Sequence, residues 1–181
     1  MSAWRAPGGY SLPDLLVSTA VAGLVLAAML GILRSGLSAY GWGAARVSAQ
    51  QGARIAVERM ARELREAGYD PRGAGIAAIV VAEPARVTFQ RDLDGDGLVD
   101  PTSERVTLLL RPGESVLRRD AGGGAQPLVN DVRRFALRYF DRRGVETVDP
   151  AAVASIGIEL EVGQGAAALT MRTEVALRTG G

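Results

Sequence analysis

Between Asp14 and Arg34 the chain reads LLVSTAVAGLVLAAMLGIL, the 19 residues Leu15–Leu33 without a single charge. As a helix this stretch spans roughly 28 Å, about the thickness of a bilayer's hydrocarbon core. A helix that is apolar on every side needs lipid, or the interior of a large protein, around it. The chain has 181 residues, enough for one modest core but too few to enclose such a helix completely. Ser18 and Thr19 interrupt the run only mildly, because their hydroxyls can return to the helix backbone. Membrane insertion is therefore predicted. A secretory signal has a shorter apolar region, followed by a cleavage site and a separate mature domain. Here the helical pattern continues beyond the run. Arg5 favours a cytoplasmic start, and Arg34 at the other end weakens that preference.

Composition narrows the chemistry. The 21 basic residues, all Arg, balance 20 acidic ones for a net charge of +1. No strong global field therefore favours nucleic acid or an acidic surface. The chain has no Cys and no His. That excludes disulfides, thiolate chemistry, Cys/His zinc sites and imidazole acid–base catalysis. Any metal must be a hard cation held by oxygen.

Asp14 is the unusual residue, a carboxylate at the edge of the apolar run. Such a group is normally kept for a partner, or serves as a first-turn acid on the helix dipole. The segment Gly8-Gly9-Tyr10-Ser11-Leu12-Pro13-Asp14-Leu15-Leu16-Val17 resembles the type IV prepilin cleavage motif. In that family a short leader ends in Gly, an aromatic residue follows, and a carboxylate at fixed offset precedes an apolar helix. By this resemblance 1–9 is a leader peptide, 10–34 a transmembrane and assembly helix, 35–68 its continuation as a helical spine, and 69–181 a globular antiparallel β-rich domain. Asp14 stands where the family usually carries Glu, and Pro13 where an aliphatic residue is usual. Pro is tolerated in a first helical turn, where its missing N–H would have no partner.

The resemblance implies cleavage between Gly9 and Tyr10 by a prepilin peptidase, methylation of Tyr10, and a single-pass subunit in a bacterial inner membrane with its globular part extracytoplasmic. It also implies assembly with other pilin subunits through an inner-membrane platform, with Asp14 meeting the N-terminal amine of a neighbour. In a low-dielectric bundle each of those charges needs the other, and mispaired registers leave one alone.

Beyond Leu33 the chain RSGLSAYGWGAARVSAQQ places Tyr40 and Trp42 where interfacial or simply packed aromatics fit equally well. Gly36, Gly41 and Gly43 weaken helix propensity and predict a local melt or kink. From about Arg46 to Ala67 helical periodicity returns, with Ala53, Val57, Met60, Ala61 and Leu64 on one face. Glu58–Arg62, Arg59–Glu63 and Arg62–Glu66 are predicted i,i+4 pairs, and Gly68 with Pro71 stops the helix. Strands are predicted at 76–82, 86–91, 105–111, 115–119, 133–141, 155–162 and 169–177. In the last three, apolar and polar residues alternate, the mark of an antiparallel sheet packed on one side. Gly122–Gly124 marks a flexible turn. The fold class is α+β and pilin-like, a long N-terminal helix packed on an antiparallel sheet.

One internal motif carries possible chemistry. Asp92, Asp94, Asp96 and Asp100 occupy positions 1, 3, 5 and 9 of an EF-hand-type loop, with Gly97 at position 6. Carboxylates so spaced converge on calcium, and Gly permits the sharp turn. Position 12 is Ser103, with Glu104 one residue late, and no helix pair flanks the motif. Ca2+ is the expected ion, and a solvated Asp/Gly turn is the plain alternative. A looser resemblance to larger minor pilins continues through Gly-Tyr-Asp-Pro at 68–71 and Val-Thr-Phe-Gln at 87–90.

Enzyme activity is not expected: Glu159 and Glu161 share a polar strand face, the usual place for solvated acids. Nucleic acid is not an expected partner, since the Arg doublets at 118–119, 133–134 and 142–143 lie in a balanced total. The reading is a minor type IV pilin, non-enzymatic, that enters or primes a pilus. The missing disulfide loop, the many strands and the size point to a minor subunit. The alternatives are a minor pseudopilin of a type II secretion system, a DNA-uptake pilus subunit, and an anchored calcium-binding domain that never assembles.

Overall fold

The computed structural model describes residues 11–163 and 168–178. The predicted leader, Arg5, and the Gly9–Tyr10 junction lie outside the described residues, as does the side chain of Trp42. Two compact units divide between Gly43 and Ala44.

Helix α1 runs from Leu12 to Arg65. Pro13 and Asp14 lie in its first turn, and the Ser11 hydroxyl donates to Asp14 Oδ2 at 2.9 Å. An acid here faces the positive end of the helix dipole. Thr19 returns its hydroxyl to the carbonyls of Leu15 and Leu16, both at 3.0 Å. The apolar half is exposed along its length, with Leu16 at 69%, Leu24 at 73% and Ile32 at 75%. It is long and apolar enough to cross a membrane.

The expected melt at Gly36, Gly41 and Gly43 does not occur: the helix runs without a break through all three. Each Gly weakens the helix by about 1 kcal/mol relative to Ala, but each keeps its backbone donor and acceptor. No proline lies between Pro13 and Pro71, so propagation from both sides carries the helix through.

In the second unit α1 buries Ala53, Ala56, Val57, Met60, Ala61 and Leu64, and Ala67 in the turn after it is buried as well. The predicted apolar face is thus observed, widened by Ala56. Its opposite side pairs Arg54 with Glu58 at 2.8 Å and Arg59 with Glu63 at 3.1 Å. Neither pair expected of Arg62 is among the ion pairs formed, because Glu58 turns to Arg54 and Glu66 turns to Arg91. Glu63 also reaches Arg119 at 2.7 Å and so ties the helix to a strand. Gly68 ends the helical turn region with a φ of +76°, where a Cβ would stand 2.8 Å from Ala78 Cβ. Only glycine adopts that conformation freely and also fits the space.

Two antiparallel sheets cover this face, where the sequence pattern predicts one. The first is a five-stranded meander of β1 (Ile79–Glu83), β2 (Arg86–Gln90), β3 (Arg105–Leu110), β4 (Leu117–Asp120) and β5 (Gln126–Val129). The second joins β6 (Val132–Phe140), β7 (Ser155–Val162) and β8 (Leu169–Ala176), with a 3₁₀ turn at Pro150–Ala152 between β6 and β7. The division falls at Asp131, whose φ of +56° turns the chain out of the first sheet. β6 meets the first sheet elsewhere: Leu137 N–H donates to Pro84 O at 2.7 Å, and the Tyr139 hydroxyl donates to Glu83 O at 2.7 Å. Strand β5 escaped the pattern because it is four residues long and contains Pro127, tolerated here at a sheet edge.

The core follows the predicted alternation. Ile156, Ile158, Leu160 and Val162 of β7 are buried, as are Phe135, Leu137 and Tyr139 of β6. In β2, Val87, Thr88, Phe89 and Gln90 are all buried, and the Thr88 and Thr107 hydroxyls meet at 2.9 Å across the strand pair. The fold is α+β, a long N-terminal helix packed on antiparallel sheets.

Leu64 is 0% exposed and Ile55, on the same helix, is 64% exposed. Leu64→Ala should destabilise the globular unit by about 2–5 kcal/mol, and Ile55→Ala should leave it nearly unchanged. Denaturant unfolding of the detergent-solubilised chain, followed by tryptophan-independent circular dichroism, measures the difference.

Candidate functional site

The acidic loop leaves β2 through Arg91 and returns to β3 after Glu104. Asp92 is fully buried and organises the turn, accepting Gly95 N–H on Oδ1 at 2.6 Å and Gly97 N–H on Oδ2 at 2.9 Å. Gly95 and Gly97 have φ of +74° and +81°, which lets the backbone double back over that carboxylate. Asp94 Oδ1 accepts Asp96 N–H at 3.1 Å, and Asp96 Oδ1 accepts Leu98 N–H at 2.7 Å.

Glu104 closes the loop. It is 3% exposed; its Oε1 accepts Leu93 N–H at 2.6 Å and its Oε2 accepts Asp100 N–H at 2.8 Å. The acid that arrives one position late for the calcium pattern thus serves as a fixed acceptor for backbone donors. Spacing gave no signal for this role, because it depends on Leu93 and Asp100 being brought to one place by the turn.

The structure brings together three of the four predicted ligands. Asp92, Asp94 and Asp96 each offer a carboxylate oxygen, and these atoms lie within 4.8 Å of one another. Asp100 is engaged elsewhere, accepting the Thr102 and Ser103 hydroxyls at 2.7 and 2.9 Å. The Thr102 hydroxyl, the Thr102 N–H and the Ser103 hydroxyl hold the Asp100 carboxyl below its ordinary pKa. For Asp94 the Asp96 N–H pulls the pKa down. Desolvation and the charges of Asp96, Glu104 and Asp92 outweigh it, and the pKa is raised. A convergent oxygen set of this kind suits a hard cation.

The loop is fastened to the end of α1. Asp92 N–H donates to Tyr69 O at 2.8 Å, Gly68 N–H to Gln90 O at 2.9 Å, and Arg91 pairs with Glu66. Arg72 Nη1 donates to Asp96 O at 3.1 Å. Asp70 folds its own turn by accepting Ala74 and Gly75 N–H at 2.9 and 2.8 Å, and the Ala74, Ile76, Gly75 and Gly73 N–H groups lower its pKa. On the far side, a Cβ at Gly122 would lie 2.2 Å from Thr102 Cα, so Gly122 packs directly against the loop, while Gly123 and Gly124 have open space around them.

The processing residues Gly9 and Tyr10 lie outside the described residues, so of the predicted assembly group only Asp14 is placed, exposed in the first turn of α1. Comparison with known protein families and with curated proteins finds no match.

The raised pKa of Asp94 has a definite sign. A carboxyl raised on folding adds stability only while protonated, and that stability is lost as pH rises through its folded value. In chelator, Asp94→Asn should therefore raise the melting temperature at neutral pH and leave it unchanged near pH 3. Paired thermal melts at the two pH values check this.

Proposed function

We propose that this chain is a minor type IV pilin, a non-enzymatic subunit that a prepilin peptidase cuts after Gly9. The observation that carries the reading is one helix with two surroundings. Its Leu12–Leu33 half exposes apolar side chains on every side, whereas its Ala53–Leu64 half is the spine of a folded α+β unit. A chain so built stays in a bilayer through its first half until other apolar helices replace the lipid.

In this reading cleavage frees the Tyr10 amine, which is then methylated and meets Asp14 of a neighbouring subunit. Ser11 already orients that carboxylate through its hydroxyl. In an apolar bundle an unpaired charge is penalised by several kcal/mol, so the amine–carboxylate pair selects one helix register among many. The globular part stands outside the inner membrane, and the assembly platform lifts the subunit into a pilus. A minor pseudopilin of a type II secretion system works by the same chemistry and differs in the system that it joins.

Coexpression with a prepilin peptidase tests the reading. Intact mass and N-terminal sequencing should give a chain beginning at methylated Tyr10, and Asp14→Ala should be cut yet fail to enter filaments. An uncut chain overturns the proposal. A cut chain required for secretion and absent from surface pili assigns the pseudopilin alternative.

We further propose that the acidic loop holds one divalent cation, Ca2+ by the spacing of its acids. The support is the convergence of Asp92, Asp94 and Asp96, with Gly97 giving the turn that the spacing requires. The cation would neutralise the charges of Asp96, Glu104 and Asp92 that, together with desolvation, raise Asp94. Added calcium should raise the melting temperature of chelator-treated protein, and Asp92→Asn should remove that increase. No shift with calcium contradicts the assignment.

A further inference from the structure

Beside the 68–78 segment lies a groove of about 630 Å³, bounded on its other side by Arg142, the Pro150–Ala152 turn and the end of β8. Its floor includes buried Val153 and Leu177. Its acids are already engaged: Asp70 accepts backbone N–H groups of its own turn, and Asp141 accepts Val145 N–H at 2.9 Å and pairs with Arg143 at 3.3 Å. Its other cations are not. Arg142 and Arg178 are exposed and have no carboxylate partner among the described residues. Arg178 is held in place by Tyr69, its guanidinium 5.2 Å from the ring centroid. An apolar floor edged by guanidinium groups that pair with no carboxylate among the described residues fits an acidic segment that also carries an aliphatic side chain.

The chain displays such a segment. At the tip of the acidic loop Asp94 and Asp96 are exposed, and Leu98 is 70% exposed. This loop abuts the same 68–78 segment, with Gly95 against Pro71 and Gly97 against Ala74. Its internal hydrogen bonds fix it there, and its exposed carboxylates form no ion pair with Arg142 or Arg178 of their own chain among the described residues.

We propose that, in its cation-free form, the acidic Leu93–Leu98 loop of a second copy of this chain enters the groove, with Asp94 and Asp96 meeting Arg142 and Arg178 and Leu98 covering the apolar floor, so that a cation on those carboxylates competes with the contact. Knob and groove are different surfaces, so the contact is head-to-tail and leaves a free knob and a free groove at the two ends. Contacts of that type extend into open assemblies when the rotation between copies does not close a ring. Opposite charge at the rim supplies orientation and partner choice more than raw affinity. The inference rests on the assembly reading above only for the shared membrane that concentrates the copies.

The absence of native cysteine makes disulfide trapping specific. Full-length Leu98→Cys chain and full-length Ala151→Cys chain are mixed in detergent with chelator, which keeps the loop carboxylates free, and then oxidised. A disulfide forms only when the two Cα atoms come within roughly 7 Å. The expected result is a mixed dimer above the level that either variant gives alone. Adding Arg142→Glu and Arg178→Glu to the Ala151→Cys chain should abolish it. Giving the Leu98→Cys chain Asp94→Arg and Asp96→Arg should restore it, with thermal melts confirming that each variant is folded. A mixed dimer no more abundant than the self-dimers overturns the proposal, and so does one that charge reversal leaves intact. The chains are uncut, so failed docking and failed cleavage at Gly9 are separate results.

Discussion

The packing of one alanine-rich helical stripe against two sheets is the contact on which the globular unit depends. Ala53, Ala56 and Ala61 let the backbone of α1 approach closely, while Val57, Met60 and Leu64 fill the space between. Each large apolar side chain so buried contributes about 1.5–3 kcal/mol relative to exposure. No disulfide assists, since the chain has no cysteine. Both sheets turn their apolar faces to one continuous core, through Phe89, Leu108 and Leu117 on one and Ile156, Leu160 and Val175 on the other.

That packing also fixes the acidic loop. The last turn of α1 hands its chain to Gly68 and Tyr69, which bond directly to the segment leaving β2. Glu66 holds Arg91 at the same junction, and Asp92 begins the loop one residue later. Asp92 and Glu104 then consume the backbone donors of the turn. The exposed carboxylates at the tip are therefore presented by a rigid base, which is what either a cation or a cationic partner surface requires.

Local physics was legible in the sequence wherever one residue's environment is set by its near neighbours. The apolar run, the buried face of the spine and the alternation in β6, β7 and β8 all follow from periodicity, and all appear. The continuous helix across Gly36, Gly41 and Gly43 did not follow, because propensity counts each glycine alone while propagation is cooperative. The second sheet was hidden in a single residue, Asp131, whose positive φ no alternation pattern encodes. Arg62 lost its expected partners to Arg54 and Arg91, one a competing neighbour in the helix and the other on a strand end. In the loop, spacing found Asp92, Asp94 and Asp96. It placed Asp100 with them, where Thr102 and Ser103 instead claim that carboxylate, and it gave Glu104 no closing role.

In the proposed reading the helix draws its order from two sources, its first half from a bilayer that it is long and apolar enough to cross and its second half from its own sheets. Residue-resolved hydrogen exchange of the full chain in bilayer discs, across a gradient of mild denaturant, tests it most directly. The amides of 53–67 should lose protection together with β2 and β7 in one step, while those of 15–33 remain protected by the bilayer. Loss of protection over 53–67 in step with 15–33, and apart from the strands, would contradict the account.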